Sequence, residues 1–183
     1  VFKRNYVDNI LLVSPTVICH INYEEAIEFH NDNDNDVTFI TTPVADNINP
    51  KNDVFICSND SMEVSDISFG KKRDCQYQYA GMLIVSKEAL LNFIEFSEDS
   101  GEIDLLEVIE QNIESLKIGN VVFDAYLKRV KTINQYFEAN MELLDTDRCS
   151  CLFKADEKVY TKEKDNHPTR YMHNADVATS CVA

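Results

Sequence analysis

Lys128, Arg129 and Lys131 stand directly before the segment 132–145, in a chain that carries 32 acidic and only 17 basic residues. Thr132, followed three residues on by Gln135, is a capping-box signature. Ile133, Tyr136, Phe137, Met141 and Leu144 recur near one stripe of the helix this predicts. Helix N-termini attract anions, so cations there can hold a phosphate, and they would repel a divalent metal. An ordinary solvated surface is the other reading. Lys71, Lys72 and Arg73 form the remaining basic run, and it too reads either as an anion contact or as an exposed loop.

The other chemistry-bearing residues form weaker patterns. Asp32, Asp34 and Asp36 alternate as in a calcium loop, but Val37 and Pro43 occupy the places where such a loop needs Gly and Glu. A solvated turn is predicted instead. Cys149 and Cys151 are separated by one residue, closer than zinc-site cysteine pairs, and His167 and His173 follow far downstream. Glu24, Glu25 and Glu28 suit the exposed, positively polarised first turns of a helix. His20 reads as a strand-end residue and His30 as a helix-surface residue.

The net charge of −15 disfavours nucleic acid and anionic membrane surfaces as partners. No apolar run reaches the roughly 18 residues that a membrane helix needs. The first residues, VFKRNYVDN, do not read as a signal or transit peptide, so the chain reads as cytoplasmic. Six irregularly spaced cysteines suggest buried or free thiols rather than a disulfide scaffold. Four glycines are too few for either common glycine-rich phosphate loop.

These residues must be positioned by alternating strands and helices. Strands are predicted at 9–14, 37–44, 53–58, 63–69 and 81–86, with 53–69 a hairpin. Helices follow Asn22, Ser86, Asp104 and Thr132, and one or two strands cover 118–130. The alternation implies an α/β fold with a mixed sheet.

YLKRVKTINQYFEANMELL closely resembles the W-R-D-V-G-T segment and following helix of ADP-glucose pyrophosphorylases (glucose-1-phosphate adenylyltransferases). NILLVSPTVICHINYEEAIEFH is similar to that family's strand, G-D-H stretch and helix. AGMLIVSKEALLNFIE resembles its S-M-G-I segment, and TKEKDNHPTRYMHNADVATSCVA its linker and first β-helix turn. The resemblance implies the C-terminal part of a Rossmann-like nucleotide-diphospho-sugar transferase domain at 1–145. A linker and the first turn of a left-handed β-helix would follow at 146–183. An excised or truncated piece is expected, lacking the glycine-rich ATP loop and most of the β-helix.

The resemblance also implies two metal-binding aspartates, whose places here hold Thr16 and Arg129; Lys131 replaces the next glycine. A hard cation needs charged oxygen ligands, so no catalytic or metal-binding residue is expected. Magnesium is expected only in a catalytic partner. The pattern is similar to the regulatory-type, non-catalytic subunit of glycogen-synthesis pyrophosphorylases, which pairs with a catalytic subunit in a hetero-oligomer. One alternative is an active nucleotidyltransferase using Asp124 or Asp104. Another is a sensor of sugar phosphates or nucleotides, with Arg129, Lys131, Lys71 and Lys72 as anion-binding candidates.

Overall fold

The computed structural model describes residues 6–44, 53–71, 75–100 and 104–154, with the side chains of 97–100 and 146 left out. The chain divides into two compact units, Val1–Val17 with Ile21–Asp124, and Ile18–His20 with Ala125–Ala183.

The first unit is built around β6 (Tyr77–Ser86), an apolar ten-residue strand. Along one side it pairs antiparallel with β3 (Val37–Pro43). Its other side is shared by β1 (Asn9–Val13), over residues 82–86, and β4 (Val54–Ser58), over residues 77–78. β4 forms the expected hairpin with β5 (Val64–Phe69). β7 (Ile118–Val122) lies parallel to β3, which makes the sheet mixed. Met62, at the hairpin tip, accepts a hydrogen bond from the Asn120 amide at 2.8 Å, so the hairpin touches the outer strand β7.

β3 is buried on both faces, which explains its continuous run of β-branched and apolar residues. Val37 and Phe39 join the core with α2 (Lys87–Ser100) and α3 (Leu105–Gln111), through Ala89, Leu90, Phe93, Val108 and Ile109. Thr38 points the other way, where its hydroxyl lies 2.9 Å from Nδ1 of His30 on α1 (Glu24–Asp32). Asn22 accepts from the Glu24 amide at 3.1 Å, as a capping residue does.

The second unit holds β8 (Leu127–Arg129), which pairs with β2 (Val17–Cys19), and the helices α4 (Ile133–Glu142) and α5 (Thr146–Leu152). The capping box predicted at Thr132 and Gln135 is present. The predicted apolar stripe of α4 is not a core face. Ala139 is buried, while Ile133, Tyr136, Phe137, Met141 and Leu144 are all exposed. The helix turns its small and polar stripe inward, where Glu142 has its charge partners. The expected β-helix turn lies outside the described residues.

Candidate functional site

The turn bearing Thr16 sits against β6. The Ser14 amide donates to the Gly81 carbonyl at 2.8 Å, and the Ser14 and Thr16 hydroxyls are 2.9 Å apart. Gly81 has φ +91°, and a Cβ there would come within 2.9 Å of Val17 Cγ2. Only glycine suits this close approach. The β3–β6 register shifts at the same level, between Ile40 and Thr41. Thr16 therefore offers one neutral hydroxyl, already engaged by Ser14, where a metal would need a carboxylate.

Arg129 and the cations around it belong to the second unit. Lys128 Nζ contacts Glu142 Oε1 at 2.8 Å and Glu138 Oε2 at 3.9 Å. The Tyr126 hydroxyl donates to Glu142 Oε2 at 3.1 Å, and Arg148 Nη1 lies 3.3 Å from the same oxygen. The hydrogen bond from Lys128 holds the Glu142 carboxyl below its ordinary range, against a smaller opposing effect of burial. Burial, reinforced by Glu142, pushes the Tyr126 phenol up. Lys128 is thus a structural cation that ties β8 to α4. Sequence reasoning missed Glu142 because its partners lie 14 and 16 residues away.

Arg129 is half-buried, with Nε shielded from solvent. Lys131 immediately precedes the cap of α4, where its amide and that of Thr132 donate to Gln135 Oε1 at 2.8 and 3.1 Å. Arg129 and Lys131 thus lie just before the capped N-terminus of α4, and neither offers the carboxylate that a divalent cation needs. Neither Thr16 nor Arg129 fits the metal that the resemblance implies. Lys71 is exposed beside the end of β5; Lys72 lies outside the described residues.

The acids proposed as substitutes have other surroundings. Asp104 caps α3 by accepting from the Leu106 amide at 2.9 Å. Asp124 is exposed between β7 and β8. Asp36 accepts from the Lys117 amide at 2.9 Å, and Asp34 takes φ 45° in the helix-ending turn, as a solvated turn requires. Cys149 and Cys151 lie on α5, and Cys151 donates to the Asp147 carbonyl; His167 and His173 lie outside the described residues.

Two further findings correct the sequence reading. His30 is 2% exposed rather than on the helix surface. It and Asn35 converge on the Thr38 hydroxyl, and burial lowers its pKa while Asp36 opposes the shift. It also lines a cleft of about 550 Å³ at the start of β3, with Asp8, Asp34, Asp36, Lys87 and Glu88. Cys57 and Cys75 form a disulfide, although free or buried thiols are the expectation from spacing. The residues are 18 apart in sequence, and the sheet brings them together through the β4–β6 pairing.

No protein-family model matches the chain. It is 25% identical over 192 residues to a glucose-1-phosphate adenylyltransferase of Thermomicrobium roseum, covering 99% of this chain and 43% of that one. It is 27% identical over 100 residues to the glycogen biosynthesis protein GlgD of Bacillus subtilis, covering 55% of this chain and 29% of that one. The chain thus spans less than half the length of these curated relatives. A Bacillus anthracis structure described as a glucose-1-phosphate thymidylyltransferase matches with TM-score 0.61 at 12% identity, covering 74% of this chain and 54% of that one. The chain is therefore similar, at low identity, to glucose-1-phosphate adenylyltransferases and GlgD, and its Rossmann-like α/β fold with a mixed sheet is shared with the thymidylyltransferase structure.

Proposed function

We propose that the full-length protein is a regulatory, non-catalytic subunit of glucose-1-phosphate adenylyltransferase, acting in cytoplasmic glycogen synthesis. It would associate with a catalytic subunit that makes ADP-glucose from ATP and glucose 1-phosphate and carries the magnesium. One observation carries this reading: a bonded hydroxyl, Thr16, and a guanidinium, Arg129, stand where the resemblance expects metal-binding carboxylates. Phosphoryl transfer depends on positioning and on neutralising phosphate charge. A cation in place of an acid repels the metal and favours the phosphate itself, so the protein keeps a surface for anions without the chemistry.

Mixing the full-length protein with its catalytic partner should yield a complex with altered ADP-glucose synthesis. No complex and unchanged kinetics would refute the proposal. Turnover by the full-length protein alone, abolished by EDTA, would favour an active enzyme; the capping role of Asp104 and the exposure of Asp124 speak against it.

Half-buried Arg129 and exposed Lys131, just before the capped N-terminus of α4, support a second role for the same protein, binding a sugar phosphate or nucleotide effector. Calorimetry with fructose 1,6-bisphosphate, glucose 1-phosphate and ATP tests it. Heats that vanish in Arg129→Ala/Lys131→Ala support this role, and flat heats with the unmodified protein oppose it.

A further inference from the structure

Cys57 lies on β4, directly opposite Asp66 on β5 in the antiparallel register. Cys75 is buried just before β6, its Cα 4.3 Å from that of Cys57. The two sulfurs and a carboxylate oxygen of Asp66 lie within 4.8 Å of one another. Among the described residues this is the only convergent group of three His, Cys, Asp or Glu side chains.

When the pair is reduced, Asp66 changes its meaning: two thiolates and a carboxylate are a zinc donor set, with a fourth position for water. Tetrahedral zinc with bonds of about 2.3 Å to sulfur sets the two sulfurs roughly 3.8 Å apart. Side chains leaving Cα atoms 4.3 Å apart can meet that spacing by rotating about χ1, without moving the strands. Cys57 and Asp66 are half-buried, so an ion and a reductant can reach the group from its open side.

We propose that Cys57, Cys75 and Asp66 form a redox-gated zinc site. An external dithiol reduces the Cys57–Cys75 bond: its two thiols become a disulfide, and the electrons and protons they give up convert the protein sulfurs to two thiols. Zinc then binds with release of those two protons. Disulfide and zinc are alternative occupants of one place, so the metal is held only while the pair is reduced. This inference does not depend on the proposed regulatory role, since it uses no residue of the Thr16 or Arg129 segments.

The test titrates zinc into the reduced, oxygen-protected chain against a chromogenic chelator. One equivalent should bind, and oxidation with a disulfide reagent should release it as two thiols disappear. Below the thiol pKa, affinity should rise about a hundredfold per pH unit, because two protons leave. Cys57→Ser and Cys75→Ser should each weaken binding at least tenfold, and Asp66→Asn less. Replacing Cys19, Cys149, Cys151 and Cys181 with Ser together should change nothing. Cobalt bound in place of zinc should show thiolate charge-transfer absorption, lost on oxidation, a readout in the unmodified chain that does not need the variants to fold. No binding by the reduced folded chain, binding that survives oxidation, or binding that follows Cys149 and Cys151 instead would overturn the proposal.

Discussion

Helices α2 and α4 carry the same kind of apolar stripe and meet opposite fates. In α2, Ala89, Leu90 and Phe93 are 4%, 7% and 6% exposed, packed on β3 and β6. In α4, Tyr136 and Phe137 are 61% and 63% exposed. α2 begins immediately after β6, so the strand that builds the core also delivers the helix to it. α4 is held from its polar side, by the capping box and by Glu142. A helical period states that one face is apolar. Which face is turned inward is decided by partners distant in the chain, and in α4 those partners are charges.

The sharpest way to break this comparison is to truncate one aromatic from each helix. Phe93→Ala should lower unfolding free energy by about 3–5 kcal/mol in urea titrations, as other buried Phe truncations do. Phe137→Ala should cost less than ~1 kcal/mol, as surface changes do. Equal losses would mean the two stripes are alike after all. Phe137→Ser should also reduce binding of a hydrophobic dye, since exposed apolar patches attract such ligands.

Glu142→Gln tests whether charge is what seats α4. It weakens contacts to Lys128 and Arg148 together, and a loss of about 1–2 kcal/mol in α4 amide-exchange protection is expected. The sign with pH follows from the lowered pKa. The contribution is complete above the ordinary value of 4.5 and disappears as pH falls through the lower folded value. Protection of α4 should therefore fade at acid pH in the native sequence and fade less in Glu142→Gln.

Thr132→Ala removes half of the capping box, and about 1 kcal/mol of helix stability should go with it, read by the thermal melt of the helical signal. The smallest effect belongs to His30 in the first unit. Its folded pKa lies below the ordinary 6.5, so the stability it contributes is complete above that value and declines as pH falls below it. His30→Gln should flatten stability against pH just below 6.5; an unchanged slope would place the titration elsewhere.

Most elements were legible in the sequence where the signal is local. β1, β3, the β4–β5 hairpin and the α4 capping box all follow from runs, turns and caps within a few residues. β2 was not legible, because a three-residue strand exists only through pairing with β8. The burial of His30 depends on Thr38 and Asn35, which make a polar side chain acceptable under the sheet. The Cys57–Cys75 bond depends on β4 and β6 becoming neighbours. At the candidate site, the residue types Thr16 and Arg129 were readable by resemblance. That Lys128 is a structural cation was not, since Glu142 reaches it from the far end of α4.

The central place of β6 has a consequence during synthesis. β1 has β6 as its partner strand, and β3 has β6 and β7, all made later. Chains lengthen at about 5–20 residues per second, so β1 waits roughly 4–15 s for residue 86 to be made. During that interval β1, joined later by β3, has no partner strand from β6 and keeps an open edge. The yield of folded chain should therefore respond to translation speed and chaperone supply more than to the stability of the finished sheet.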